Sequence, residues 1–308
     1  MLEVRRSSTG NGLEKLDTVE AGCWINLVAP TEEELRTVQE ALEIEPDFLR
    51  HPLDAEERSR VEIEERQVLV MVDVPIVEGT MEYSTIPLGI IIKDGTVITV
   101  CLKPTPILAE FSDGRVKGCS PGNRNRFIFQ ILMKTASYYH RYLKTIHKAT
   151  EEIEDRLQKS MKNTELVILM NLEKSLVYFS TSIRGNELVL EKLARLKMLD
   201  LQEDDEELLQ DVIIENKQAQ EMGDIYSGIL SGMMDAFASI INNNVSRVMK
   251  FLTIVTIALA VPTMASSFYG MNLSLPMQDH PNTFALVLGF SLTASLVLGF
   301  ILGKLKLG

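Results

Sequence analysis

Two uncharged hydrophobic runs stand at the C-terminal end of the chain, whereas the pattern before them is that of a water-soluble protein. The first run extends from Phe251 to about Phe268, and the second extends from Phe284 to Leu302. At a rise of about 1.5 Å per residue, a helix over either run covers nearly all of the roughly 30 Å hydrocarbon core of a bilayer. Because the segment between them is short, we expect a transmembrane hairpin with its turn at 269–272.

The pattern over residues 1 to about 110 predicts an α/β unit with a mostly antiparallel sheet. Thr31 stands three positions before Glu34, which is the capping-box spacing of a helix start. Asp94 and Gly95 supply a hairpin turn between two β-branched runs. The predicted strands are 23–29, 68–77, 86–92 and 97–102, with a further alternating stretch from Val61.

From about Asn125 the apolar positions recur at three- and four-residue steps, which predicts helices. Breaks near Asn163 and around 200–205 divide this part into three long helices. The last runs from Glu206 without a proline until Pro262, so one helix of about 60 residues, roughly 90 Å long, is expected to continue into the first hydrophobic run. The fold class is therefore an α+β domain followed by long stalk helices and a two-helix transmembrane hairpin.

The flanking charges predict the orientation of this hairpin. Arg247 and Lys250 precede the first run, Lys304 and Lys306 follow the second, and the loop between the runs has no Lys or Arg. The chain is therefore predicted to be a multi-pass protein of the cell (inner) membrane. By the positive-inside rule, both of its termini are expected to lie in the cytoplasm. The predicted divisions are an α/β domain at 1–120, long antiparallel helices at 121–203, a stalk helix at 204–250, a first transmembrane helix at 251–269, an extracellular loop at 270–283, a second transmembrane helix at 284–303 and a cytosolic tail at 304–308.

Composition and motifs exclude several classes of function. A net charge of −12 does not suit a general nucleic-acid binder, and nearly all of the acidic residues precede the first hydrophobic run. No P-loop, GxSxG or HExxH motif occurs, so neither an enzyme nor an organic cofactor is indicated. Cys23, Cys101 and Cys119 show no CxxC spacing and are predicted to be reduced thiols. The histidines do not cluster in sequence, and His140 and His147 are interpreted as a surface pair.

A stripe of small and hydroxylated residues follows one face of the first hydrophobic run. Such a stripe either lines a pore or allows close helix packing in lipid. Two helices cannot enclose a pore alone, so a transport function requires several copies around an axis. The second run has no comparable stripe and is expected to face lipid. The stripe consists of Thr253, Thr256, Ala260, Thr263 and Ser267, and continues upstream through Met249 and Ser246.

The sequence Tyr269-Gly270-Met271-Asn272 between two C-terminal spans resembles the CorA family of magnesium channels, whose hallmark is a Gly-Met-Asn loop. The stretch 248–253 also resembles the start of that family's pore helix. The resemblance implies a homopentameric funnel with one axial pore lined by the first span. It also implies a ring of Asn272 amides at the outer mouth, which could accept hydrogen bonds from the water shell that Mg²⁺ retains. Gly270 is expected to adopt a helix-ending conformation that favours glycine, and Met271 to brace the loop.

The same resemblance implies a function and its regulation. Influx of Mg²⁺ is expected, with Co²⁺ and Ni²⁺ as further candidate ions, and Met249 and Leu252 would form a narrow apolar gate. Cytosolic Mg²⁺ held between subunits by carboxylates would favour the closed state, and Asp211 matches the position of a stalk carboxylate of that kind. Its partner in the α/β domain is not assigned. The expected partners are other copies of the chain, membrane lipid and divalent cations, without nucleic acid.

Two other functions stay open from the sequence. A zinc transporter of the same superfamily would share this plan, although the intact Gly-Met-Asn favours magnesium. A membrane-anchored cation sensor would conduct nothing and would have no need of hydroxyl groups in register with Asn272. The chain also departs from the family pattern, because Asp279 is the only acidic residue between Asn272 and the second run and the final basic cluster is reduced to Lys304 and Lys306.

Overall fold

The computed structural model describes residues 1–7, 13–20, 22–159, 163–196, 199, 201–271 and 281–304 of the 308-residue chain. The chain divides into two compact units, Met1–Gly232 and Met233–Gly308. A single long helix contributes its first part to one unit and its second part to the other.

The N-terminal unit is built on a seven-stranded mixed sheet with the strand order β2-β1-β3-β7-β6-β5-β4. Only the β3–β7 pair is parallel, and the other neighbours are antiparallel. The predicted strands are confirmed, and the predicted turn at Asp94 and Gly95 has positive φ at both residues. Strands β1 and β2 were not predicted. The strands are β1 Leu2–Ser7, β2 Leu13–Leu16, β3 Trp24–Val28, β4 Arg60–Glu64, β5 Gln67–Gly79, β6 Glu82–Lys93 and β7 Thr96–Cys101.

Helices cover both faces of this sheet, which explains why its central strands are buried on both sides. The predicted Thr31 capping box is present at the start of the first helix, and that helix packs Leu35 and Val38 onto one face. Longer helices cover the other face, where Trp24, Phe111 and Phe127 meet in edge-to-face contacts. The helices of this unit are α1 Glu32–Leu42, α2 Pro46–Arg50, α3 Pro106–Ser112, α4 Arg124–Lys159 and α5 Asn163–Ala194, with a 3₁₀ turn at His51–Leu53.

The side chain of Asn186 joins α5 by hydrogen bonds to an edge of β5 that has no neighbouring strand. The last residue of β5 that pairs with β4 is Met71, so the same edge of β5 has no strand partner at Asp73. There the Asn186 amide nitrogen donates to the Asp73 carbonyl oxygen at 2.8 Å, and its amide oxygen accepts from the Asp73 N–H at 2.8 Å. The Tyr139 hydroxyl of α4 donates to the same carbonyl oxygen at 3.0 Å. Two helices therefore take the place of a neighbouring strand.

Among the described residues, three helices are long and apolar enough to cross a membrane: α5, α6 Glu203–Tyr269 and α7 Thr283–Lys304. Of the most apolar 18-residue window of each, 39% is buried in α5, 0% in α6 and 11% in α7. The burial of α5 is explained by its packing on the sheet. The remaining candidates for membrane-spanning helices are therefore α6 and α7. The predicted long helix is present as the 67 residues of α6, with Pro262 inside it.

Candidate functional site

In the C-terminal unit, α7 packs against one face of α6. The Ser295 hydroxyl donates a hydrogen bond to the Ala258 carbonyl oxygen, and a Cβ atom added to Gly299 would lie 3.9 Å from the Ala258 Cβ. We call the partly buried residues of α6 on this side the α7-facing side. They are Ile254, Ala258, Val261, Pro262 and Ala265.

A polar stripe lies on another side of the same helix segment. Its members alternate at four- and three-residue steps, and every one is exposed. At 100° per residue, the stripe is centred about 150° around the helix from the α7-facing side. We call these residues the exposed polar face. They are Asp235, Ser239, Asn242, Ser246, Met249, Thr253, Thr256, Ala260, Thr263 and Ser267. All of the predicted stripe residues belong to it, and Leu252 is exposed at its edge.

The exposed polar face extends further towards the N-terminus than the predicted stripe. Asp235, Ser239 and Asn242 continue the same alternation below Ser246. Asp235 is the only acidic residue between 225 and 278, so a lone carboxylate in the part of α6 that otherwise has no acidic residue was a signal available in the sequence. The predicted stripe covered only the hydrophobic run and the few residues before it, so Asp235 was not among the predicted site residues.

The threonine hydroxyls of this face all donate inside the helix. Thr253 Oγ1 donates to the Met249 carbonyl oxygen at 2.9 Å. Thr256 donates to Leu252 at 2.8 Å, and Thr263 donates to Leu259 at 2.8 Å. A hydroxyl group has one hydrogen and two lone pairs, so each of these oxygens retains acceptor capacity after donating. The face therefore offers hydrogen-bond acceptors to water molecules, as the water shell of a cation requires.

The α6 helix ends at the predicted turn, where Gly270 has a different role from the expected one. The Gly270 N–H donates to the Ser266 carbonyl oxygen at 3.0 Å, and a Cβ atom at Gly270 would lie 3.2 Å from that oxygen. The expectation of a left-handed helix-ending conformation was wrong, because close approach to the Ser266 carbonyl is what favours glycine. The described glycines with positive φ are Gly22, Gly95, Gly114 and Gly118.

Asn272, the rest of the loop to residue 280 and the tail after Lys304 lie outside the described residues. The described end of the turn borders a cavity of about 490 Å³ between the C-terminal end of α6 and the start of α7. Ser266, Tyr269 and Gly270 line its α6 side. The roles of Asn272 and Met271 stay predictions.

The other predicted site residue, Asp211, is exposed on the part of α6 that belongs to the N-terminal unit. Among the described residues it makes no ion pair, and no group of three or more His, Cys, Asp or Glu side chains is placed to hold a metal ion. A regulatory role for Asp211 stays a prediction.

The histidines of α4 each contact α6, so their interpretation as a surface pair was wrong. His140 Nε2 lies 3.0 Å from the Glu215 carbonyl oxygen and 3.1 Å from its carboxylate, and its side chain is 15% exposed. The His147 ring stacks on Tyr226 with 4.3 Å between the ring centroids. Both therefore hold α6 against α4 inside the N-terminal unit.

An α+β unit followed by helices that are long and apolar enough to cross a membrane, one of them with a polar stripe, is the plan of a membrane protein with a domain outside the bilayer. Residues 19–304 match the family described as CorA-like Mg²⁺ transporter protein. The chain belongs to this family, so the resemblance found in the sequence is confirmed.

Known relatives agree with this membership along nearly the whole chain. The chain is 29% identical over 288 residues to the cobalt/magnesium transport protein CorA of Methanocaldococcus jannaschii, covering 90% of this chain and 89% of the relative. A complete structure of the CorA magnesium transporter from that organism superposes with a TM-score of 0.84 at 27% identity, covering 99% and 98% of the two chains. The cytoplasmic domain of ZntB from Vibrio parahaemolyticus has a TM-score of 0.63 at 14% identity over 78% and 98% of the chains, a likeness that concerns the fold alone.

Proposed function

We propose that this protein is a homopentameric channel in which hydrated Mg²⁺ passes along the exposed polar face of α6 into the cell. Family membership supports magnesium transport, and the name of the Methanocaldococcus relative supports Co²⁺ as a second ion. The observation that carries the pore assignment is that the exposed polar face and the α7-facing side lie on different sides of one helix. Several copies can therefore turn their polar faces to an axis while α7 lies outside, against lipid.

The acceptor character of the face fits the chemistry of the ion. Mg²⁺ dehydrates reluctantly and usually keeps several waters. Those waters point hydrogen atoms outward, and the oxygens of Thr253, Thr256 and Thr263 can accept them without stripping the shell. Asp235 would attract the cation at the N-terminal end of the exposed polar face. Asn272 would provide the amide ring at the outer mouth, and Met249 with Leu252 would form the apolar constriction.

The same proposal includes the membrane topology and the regulation. Both termini would be cytoplasmic, with the loop 270–283 outside, as the flanking charges indicate. Asp211 would bind cytosolic Mg²⁺ together with a carboxylate of the neighbouring subunit. Loss of that ion at low cytosolic Mg²⁺ would loosen the ring and favour opening, which is negative feedback.

The decisive experiment uses the purified full chain in liposomes that contain a Mg²⁺ indicator. Mg²⁺ influx is expected, and Asn272→Ala is expected to reduce it strongly. A protein that folds and assembles but passes no ion would be a cation sensor, and a preference for Zn²⁺ over Mg²⁺ would make it a zinc transporter. An Asn272→Ala variant that conducts Mg²⁺ as the original does would remove Asn272 from the selectivity site.

A further inference from the structure

Pro262 leaves one carbonyl group of the α6 helix without its usual partner. In an α-helix the N–H of residue i donates to the carbonyl oxygen of residue i−4, and proline has no N–H. The carbonyl that loses its partner is that of Ala258. Where a bilayer surrounds the helix no water is available to replace the lost bond, so such a carbonyl is costly unless another protein group donates to it.

Ser295 of α7 supplies the missing donor. Its hydroxyl donates to the Ala258 carbonyl oxygen, and its side chain is partly buried on the side of α7 that packs against α6. The neighbouring hydroxyls of α7 do not do this. Ser291 donates to the Leu288 carbonyl oxygen at 3.0 Å, and Thr293 donates to that of Gly289 at 2.7 Å, both within their own helix. The hydroxyl that leaves its own helix is the one that reaches the carbonyl freed by proline.

This contact lies between the two halves of the exposed polar face. Thr253 and Thr256 precede Pro262, whereas Thr263 and Ser267 follow it. A proline inside a helix removes a hydrogen bond and introduces a bend, so the relative direction of the two halves depends on what holds the helix at that position. The hydroxyl of Ser295 holds it from the opposite helix.

We propose that Ser295 is a positioning residue for ion conduction, which fixes the bend of α6 at Pro262 through the Ala258 carbonyl group and thereby keeps the outer half of the exposed polar face in line with the inner half. This proposal rests on the proposed channel function. Ser295 itself contacts no ion, because it lies on the side of α7 that faces α6 and its hydroxyl is bound to the Ala258 carbonyl.

A double-mutant cycle tests the proposal. Ser295→Ala in the full chain is expected to slow Mg²⁺ influx into liposomes roughly three- to tenfold, the range for one lost interhelical hydrogen bond. In a Pro262→Ala background the same substitution is expected to have no further effect, since the restored N–H of residue 262 then bonds to the Ala258 carbonyl. Ser295→Thr, which keeps a hydroxyl, is expected to restore influx. Ser291→Ala is the matched control, because that hydroxyl bonds within α7, and it is expected to leave influx unchanged.

Two further measurements separate positioning from a simple loss of folded protein. The ratio of Mg²⁺ to Ca²⁺ influx is expected to fall in Ser295→Ala, whereas fewer intact channels would lower both fluxes equally. Thermal unfolding in detergent, followed over the same cycle, is expected to show the same dependence on Pro262. Equal effects of Ser295→Ala in both backgrounds, or an unchanged flux ratio, would overturn the proposal. If the original protein passes no Mg²⁺, the channel function fails, while the unfolding cycle still decides whether Ser295 acts through Pro262.

Discussion

Single hydroxyl groups determine what the exposed polar face of α6 offers to an ion. Because Thr253, Thr256 and Thr263 donate to carbonyl oxygens of their own helix, their oxygens face outward mainly as acceptors. If their hydroxyl hydrogens were not bound within the helix, the same side chains could also donate hydrogen bonds to an anion. Intrahelical donation therefore leaves the threonine oxygens of this face as acceptors, which is the role that the water shell of a cation would require in the proposed channel.

Replacing one of these hydroxyls tests that preference. Thr256→Val keeps the shape of the side chain and removes the oxygen, and it is expected to lower Mg²⁺ influx about tenfold, which corresponds to the loss of one hydrogen bond of about 1.4 kcal/mol to the water shell of the ion. Thr293→Val is the control, since Thr293 makes the same intrahelical bond on α7. Influx that is equal in the two variants would show that the Thr256 oxygen does not act on the ion.

Asp73 is a partly buried carboxyl group that no cation neutralises in the described structure. Burial raises its pKa above the usual range, and hydrogen bonds from Ser182 and Ser59 oppose the shift. A carboxyl group whose folded-state pKa is raised stabilises the fold in its protonated form. That stabilisation is fully present below the unfolded-state pKa and is lost as the pH rises through the folded-state pKa.

Asp73→Asn is therefore expected to stabilise the protein by about 1 kcal/mol near pH 8, with a gain that shrinks towards pH 3. The physical reason is that the amide stays uncharged at every pH. The measurement is the unfolding temperature as a function of pH, with Asp155→Asn on the exposed side of α4 as the control. A pH-independent difference would contradict a titrating Asp73.

At the scale of elements, α5 illustrates how packing overrides composition. Its length and hydropathy would allow it to cross a membrane, yet Leu172, Leu176 and Phe179 are buried in the N-terminal unit. Asn186 completes this attachment by pairing with both backbone groups of Asp73 on the open edge of β5. The attachment of α5 to the sheet is therefore a tertiary feature, which the length and hydropathy of α5 do not show.

Asn186→Ala would leave the Asp73 N–H and carbonyl group without this partner, and it is expected to lower the free energy of unfolding by about 2–3 kcal/mol. Denaturant unfolding of the full chain in detergent measures the loss. Asn171→Ala is a suitable control on the same helix, since the Asn171 amide makes an exposed bond to Glu82. Equal losses in the two variants would show that the pairing of Asn186 with β5 stabilises the fold no more than an exposed hydrogen bond does.

The part of α6 after Gly232 carries the lone carboxylate of the exposed polar face. Asp235→Asn is expected to raise the Mg²⁺ concentration for half-maximal influx several-fold at low ionic strength and less at high salt, because screening weakens its attraction for the ion. Glu221→Gln removes the same charge from an exposed position nearer the start of α6. Equal shifts in both variants would indicate that the effect depends on the total negative charge of the protein and not on the position of Asp235 along the ion path.

At the scale of the whole molecule, the charge distribution is consistent with the proposed regulation by the transported ion. The net charge is −12, and the acidic residues belong almost entirely to the chain before the first hydrophobic run. In the proposed homopentamer, copies of such a chain would repel each other around the axis, and divalent cations between them would reduce that repulsion. Asp211 and the exposed polar face belong to the same helix, α6.

Asp211→Ala is expected to shift inhibition of influx to higher cytosolic Mg²⁺, by several-fold, because one ligand of each proposed regulatory ion is lost. Influx into liposomes with defined internal Mg²⁺ measures the shift, and Glu221→Gln is again the control for charge. An unchanged dose response would remove Asp211 from the regulatory site.

Much of this protein follows from local sequence rules. The Thr31 capping box, the Asp94–Gly95 turn and the long α6 helix were predictable because each depends on neighbours within a few residues or on a sustained period. The family was recognisable for a similar reason, since Gly270 and Met271 stand in a short motif at a defined place between two spans. Strands β1 and β2 were not predicted because they are rich in charged residues and contain a single β-branched residue, Val4, so their sequences lack the usual strand pattern.

The sequence by itself determined the helices that can cross a membrane, the polar stripe of α6 and the family, because hydrophobic period and short motifs are local properties. Only the tertiary structure decided which side of α6 is covered and which is exposed, since that depends on where α7 packs. It alone assigned Ser295 to the carbonyl freed by Pro262 and Asn186 to the open edge of β5. Those partners stand 37 and 113 residues apart in the chain, beyond the reach of any local pattern.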